Sequence, residues 1–161
     1  MKKLLIIVVV IVIAVGGFMY LKKQKGTDVS PTPTALPKSI MLNVATDSKL
    51  GAYLVSNSGR TVYVYTKDTP GTSTCTEQCL VNWPPYIVSA SISPTGGEGV
   101  AGTVSRLVHD DGSAQVTYNG FPLYYYVKDM GIGDTNGQNM GKVWFVVKPY
   151  NLGCTPQKHV L

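Results

Sequence analysis

Between Ser39 and about Tyr150, apolar residues recur in short alternating stretches bounded by Gly, Asn, Asp and Ser. No apolar pattern of helical period is sustained for three turns there. Alternation with period two, punctuated by turn residues, is the signature of strands rather than helices. The pattern predicts strands at Tyr53–Ser56 and Ala114–Tyr118, each closed by a tight turn at Ser58-Gly59 or Asn119-Gly120. Asn-Gly favours such a turn because both central residues need positive φ. Second strands follow at Thr61–Thr66 and Pro122–Val127, then a Gly/Thr-rich loop, then a strand opened by Trp83 or Trp144. The segment Arg106–Asp111 adds a further hairpin arm through Asp111-Gly112.

The two halves of this pattern are copies of one another. A shift of 61 positions lays residues 51–88 on 112–149 without a gap and gives nine identities in 38 positions, where average residue usage gives roughly two. The identities are Gly51/Gly112, Val55/Val116, Gly59/Gly120, Tyr63/Tyr124, Tyr65/Tyr126, Lys67/Lys128, Asp68/Asp129, Thr74/Thr135 and Trp83/Trp144. Strand alternation puts Val62, Val64, Leu123, Tyr125 and Val127 on one face, and Tyr63, Tyr65, Tyr124 and Tyr126 on the other. Neither face is polar, so both are expected to be covered. The expected fold is all-β: two pseudo-symmetric repeats forming a small sandwich or barrel, with Trp83 and Trp144 in its core.

What precedes this domain is different. Leu4–Leu21 is an uncharged apolar run, LLIIVVVIVIAVGGFMYL, long enough as a helix to cover about 27 Å of hydrocarbon. Lysines flank it on both sides, and Tyr20 falls at its end, as suits a membrane interface. Residues 1–25 read as one transmembrane anchor, and the length of the run favours retention over cleavage as a signal peptide. Residues 26–38 are rich in Pro, Thr and Ser and read as a stalk. The β domain spans 39–150, and 151–161 forms a C-terminal tail.

Charge changes the picture little. The formal net charge is +5, but five of the fourteen basic residues flank the apolar run. From Lys38 onward nine Lys/Arg face eight Asp/Glu. The basic excess therefore suits a lipid surface, and no nucleic-acid partner is expected.

The repeated residues resemble a known family. Tyr63-Val64-Tyr65-Thr66-Lys67-Asp68 and Tyr124-Tyr125-Tyr126-Val127-Lys128-Asp129 match the tandem Tyr-x-aromatic-x-x-Asp motif of the secreted-repeat family of bacterial and archaeal lipoproteins. Cys75-Thr76-Glu77-Gln78-Cys79 before Asn82-Trp83-Pro84-Pro85, Gln115–Gly120 before Pro122-Leu123-Tyr124, Gly133-Asp134-Thr135 and Val143-Trp144 fit as well. The resemblance implies a cell-surface location for the C-terminal domain and no particular activity. This chain lacks the lipidated cysteine of many members, and Leu4–Leu21 would replace the lipid as anchor.

Candidate chemistry is sparse. Cys75 and Cys79 are expected to form a small disulfide outside the cytoplasm, against a redox or metal-binding alternative. Asp68 and Asp129 are expected to accept hydrogen bonds from the loops that follow them. The rival readings are a paired-carboxylate site, calcium held by Asp129, Asp134 and Asn136, and copper held by Cys154, His159 and His109. There is no Gly-x-Ser-x-Gly and no zinc ligand set. The expectation is a non-enzymatic, membrane-anchored, surface-exposed binding or structural module without a cofactor, serving an envelope component or a small ligand. A copper- or calcium-dependent redox or metal-binding envelope protein is the alternative.

Overall fold

The computed structural model describes residues 38–150. The apolar run, the stalk and the tail with Cys154 and His159 lie outside the described residues. Strands dominate. They are β1 (Lys38–Asp47), β2 (Gly51–Ser56), β3 (Tyr63–Tyr65), β4 (Ile87–Val88), β5 (Ser93–Gly96), β6 (Val104–Val108), β7 (Ala114–Tyr118), β8 (Phe121–Pro122) and β9 (Trp144–Val146), with one five-residue helix, α1 (Gln78–Asn82), among the described residues. No described helix is long and apolar enough to cross a membrane.

Each repeat opens with an antiparallel hairpin. β1 pairs with β2 from Leu42↔Ser56 to Asp47↔Gly51, and β6 pairs with β7 from Val104↔Tyr118 to Val108↔Ala114. Both hairpins end on a glycine at positive φ, Gly51 at 67° and Gly112 at 81°. The first arm of each was the less legible one, because positions 44–50 and 105–111 share no identity at the offset of 61.

The second turn differs between the copies. Asn119 and Gly120, with φ of 51° and 86°, form the expected two-residue turn between β7 and β8. In the first copy only Gly59 has positive φ, at 81°. There the Gly59 amide donates to the Ser56 carbonyl and the Ser56 amide to the Arg60 carbonyl. The loop is one residue longer, with the glycine in the left-handed position that a three-residue hairpin requires. Ser in place of Asn at 58 accounts for the change, since Asn tolerates the left-handed region better than Ser.

The Trp-bearing segments cross over. β3 pairs with β9, Tyr63↔Val146 through Tyr65↔Trp144, so the motif strand of the first copy is completed by the second. The reciprocal contact is Tyr124↔Pro85, with the Tyr125 amide on the Pro84 carbonyl. Thr66 donates to the Val143 carbonyl and Val127 to the Asn82 carbonyl, an equivalent pair. The first-copy segment forms a bridge rather than a strand because Pro84 and Pro85 have no amide hydrogen for a ladder. Trp83 accordingly falls just after α1 instead of opening a strand. β4 of the first copy then pairs with β7 of the second.

The sheets are β2-β1-β5, β3-β9 and β4-β7-β6 with β8 on β7, among the described residues. The expected all-β duplication is present, but it does not close into a barrel. Its central pairings are too short for that: β3 and β9 have three residues each. β5, from the segment between the copies, joins β1 in parallel.

Two cores result, one on each face of the motif strands. Leu42, Leu54, Val62, Val116 and Leu123 fill one, with Val64 and Tyr125 packed against it. Tyr63, Tyr124, Tyr126, Trp83 and Trp144 fill the other, with Tyr65 against it. The alternation read from the sequence places these residues on the right faces, but the expected strand Pro122–Val127 is present only as β8 and isolated bridges at Tyr124, and Val127 lies exposed in the turn that follows.

The crossover also sets the turns. Gly71 donates to the Gly120 carbonyl, and a Cβ at Gly120 would lie 3.0 Å from the Pro70 Cβ. A Cβ at Gly112 would meet nothing within 4 Å. Both glycines have positive φ, so Gly120→Ala and Gly112→Ala share a conformational cost of about 1–3 kcal/mol. Urea unfolding should show Gly120→Ala as the more damaging, because Pro70 must also move. Equal midpoints would mean that the crossed loop contact contributes nothing.

Candidate functional site

The motif residues converge on the centre of the second core. Tyr63 and Tyr124 are fully buried, and their backbones exchange two hydrogen bonds, 2.9 Å and 3.0 Å, at the junction of the copies. Each phenol reaches into the opposite repeat. Tyr63 donates to Asp129 Oδ2 at 2.5 Å, and Tyr124 donates to Asp68 Oδ2 at 2.7 Å. The Ser73 hydroxyl also bonds the Tyr124 hydroxyl at 2.7 Å.

The second oxygen of each carboxylate holds its own loop. Asp68 Oδ1 accepts the Thr74 amide at 2.7 Å and the Thr74 hydroxyl at 2.9 Å. Asp129 Oδ1 accepts the Asn136 amide at 2.9 Å. The spacing thus gives each Asp two partners: the loop of its own copy, which the sequence indicated, and the phenol of the other, which no local pattern could reveal.

Four aromatic rings form one stack beside Tyr63 and Tyr124. Tyr65 lies on Trp144 (4.3 Å, 15°), Trp144 on Trp83 (3.9 Å, 5°) and Trp83 on Tyr126 (4.3 Å, 25°). Tyr63 meets Trp83 edge-on at 5.4 Å, and Tyr124 meets Trp144 edge-on at 5.2 Å. Stacked and edge-to-face pairs each add about 0.5–1.5 kcal/mol beyond area burial. Gly137, not singled out by the sequence, lets the backbone approach this centre: a Cβ there would lie 2.8 Å from the Trp83 ring and 2.9 Å from Tyr63. Its amide points at the Tyr63 hydroxyl, 3.3 Å away.

Burial governs the protonation of the group. It pushes the Tyr63 and Tyr124 phenols well above the usual tyrosine range, and Asp129 and Asp68 beside them add to the shift. Desolvation raises the Asp129 carboxyl above the ordinary carboxylate value, against the bonds from Tyr63 and Asn136 that favour its charge.

Cys75 and Cys79 form a disulfide, with Cα atoms 5.3 Å apart, that ties the first-copy loop to α1. The loop closed is short, so the entropic contribution is small, about 2 kcal/mol. Asp134 accepts the Met130 and Gly131 amides through Oδ2, so Asp129 and Asp134 are both engaged by backbone or phenol donors. His109 Nε2 bonds Gln115 Oε1 at 3.0 Å, while Cys154 and His159 lie outside the described residues. Among the described residues no three His, Cys, Asp or Glu side chains gather as metal ligands.

The domain is thus a duplicated strand-and-loop unit, closed by crossed Tyr–Asp bonds around a stacked aromatic centre. The model of a secreted repeat of unknown function matches residues 44–86 and 105–148, more than half of the chain. The protein belongs to this secreted-repeat family. Comparison with curated proteins and with solved structures finds no match.

The geometry sets an expectation for the phenols. Tyr63→Phe keeps the ring but leaves Asp129 Oδ2 without its donor, and Tyr124→Phe does the same to Asp68. Each should cost about 1–3 kcal/mol, the penalty for an unsatisfied buried polar group, and urea midpoints should fall by similar amounts. The raised Asp129 carboxyl also fixes a sign. Its folded form holds the proton more tightly than the unfolded chain, so its contribution is fully present below the unfolded value, about pH 4. That contribution is lost as pH rises through the folded value. Wild type should therefore gain stability relative to Asp129→Asn as pH falls from 7 towards 4, and a flat difference would refute the shift.

Proposed function

We propose that this protein is a non-enzymatic module held at the outer face of the cytoplasmic membrane by Leu4–Leu21 and displayed on the stalk at 26–38. The observation that carries this reading is the use of the motif's polar atoms. Both tyrosines and both aspartates direct their hydrogen bonds into the domain itself. Membership of a secreted-repeat family and the disulfide suit a location outside the cytoplasm.

The outward-facing surface differs between the copies. Met130 and Ile132 are 88% and 82% exposed on the second-copy loop, where the first copy has Thr69 and Gly71. They are the most open of the large apolar side chains among the described residues, ahead of Val81 at 62%, and this favours a contact role for that loop. An envelope component or a small ligand is the proposed partner.

Protease added to intact cells tests the placement. Cleavage within 26–38 should release the β domain intact, because its strands and disulfide leave few extended segments for attack. Full protection in an envelope that admits the protease would overturn the outward orientation.

A further inference from the structure

The buried rings of the second core stand in a fixed order beside two carboxylates. Tyr65, Trp144, Trp83 and Tyr126 form one continuous column, with the two indoles parallel within 5° and 3.9 Å apart at its centre. Each indole of that pair is met edge-on by a fully buried phenol that is hydrogen-bonded to a carboxylate. One end of the column, Tyr65, is only partly buried, while Trp83, Trp144 and Tyr126 are 5% exposed each.

The chemistry of these groups fits one task. Indoles and phenols are the side chains that lose an electron most readily among those present. Two parallel indoles in contact share a positive charge, which lowers the cost of holding it in a buried site. A phenol gives up an electron easily only if its proton leaves with it, and that needs a base already in hydrogen-bond contact. Asp129 and Asp68 supply this base at 2.5 Å and 2.7 Å.

We propose that the column is a one-electron oxidation relay, in which an outside one-electron oxidant draws an electron through Tyr65 and the oxidising equivalent comes to rest on Tyr63 or Tyr124. The oxidant, an oxidising radical or a high-potential metal complex, is reduced by one electron and leaves the Trp83–Trp144 pair as a radical cation. Tyr63 or Tyr124 then returns one electron to the indoles. Its O–H bond breaks, the proton passes to Asp129 or Asp68, and the products are neutral indole, a neutral phenoxyl radical and a carboxylic acid. A one-electron reductant of the thiol or enediol class restores the phenolate electron count, and the carboxyl hands the proton back. The two Tyr–Asp pairs make the relay twofold, so either half can accept the equivalent. Raised carboxyl basicity at Asp129 assists the transfer.

The test uses the full chain in detergent micelles, in a Tyr150→Phe background that removes an exposed competitor. Photogenerated tris(bipyridine)ruthenium(III) serves as the oxidant. Transient absorption should show an indole radical cation that decays into a tyrosyl radical, and the decay should slow in deuterated solvent. Tyr63→Phe with Tyr124→Phe should leave the indole signal without a tyrosyl successor. Asp68→Asn with Asp129→Asn should slow the transfer by about a hundredfold, the lower range for removing a positioned base. If either double variant loses its near-ultraviolet dichroism, the single variants Tyr63→Phe and Asp129→Asn, which leave the other half intact, should each lower the yield at their own half. Absence of an indole signal in wild type, no isotope effect, or equal tyrosyl rates in folded aspartate variants would overturn the proposal.

Discussion

Each repeat of this domain carries a buried phenol whose acceptor belongs to the other repeat. Tyr63 of the first copy needs Asp129 of the second, and Tyr124 needs Asp68. A buried hydroxyl or carboxylate without a partner costs more than a made hydrogen bond contributes. Neither copy can therefore satisfy its own centre, and the duplication becomes an obligate unit. The backbone follows the same rule, since β3 finds β9 and Tyr124 finds Pro85 across the copies.

The rest of the structure depends on that exchange. Trp83 and Trp144 can stack at 3.9 Å only because each Trp segment has crossed to the other copy's motif strand. The column then fixes what may pass close to it, which is why residue 137 has no side chain. The loops return to the turns of the opposite copy, Pro70 to Gly120 and Ile132 to Gly59. The Tyr–Asp bonds and the ring stack recur in both copies, but the loops that hold them differ: Asp68 accepts from Thr74 and Asp129 from Asn136, which are not equivalent at the offset of 61. The disulfide and α1 belong to the first-copy loop, and the exposed Met130 and Ile132 to the second.

Much of this was legible because the signals are local. Alternation at 62–66 and 123–127 placed the two faces, and Asn119-Gly120 named its turn. The offset of 61 identified the equivalent residues, and Trp83 and Trp144 lie in the core as the pattern implied. The unreadable parts are the long-range ones. Gap-free repetition says which residues correspond, but not whether a strand pairs within its own copy or with the other. β1 has no matching residues upstream of Gly51, and its parallel partner β5 comes from the segment between the copies, so neither sheet order nor the failure to close a barrel had a sequence mark. The Ser58 turn misled for a physical reason: Gly59 alone carries the positive φ, and the hairpin accommodates it with one more residue.

A double-mutant cycle on the crossed pairs measures the exchange between the copies. Tyr63→Phe and Asp129→Asn, singly and together, give the coupling between the copies by urea unfolding; Tyr63→Phe with Asp68→Asn gives the coupling within the first copy. Contacting groups in one network couple by about 0.5–3 kcal/mol, whereas groups without shared partners add nearly independently. The structure predicts coupling in that range for Tyr63 with Asp129 and much less for Tyr63 with Asp68. A larger coupling within the copy than across it would contradict the exchange on which this fold is built.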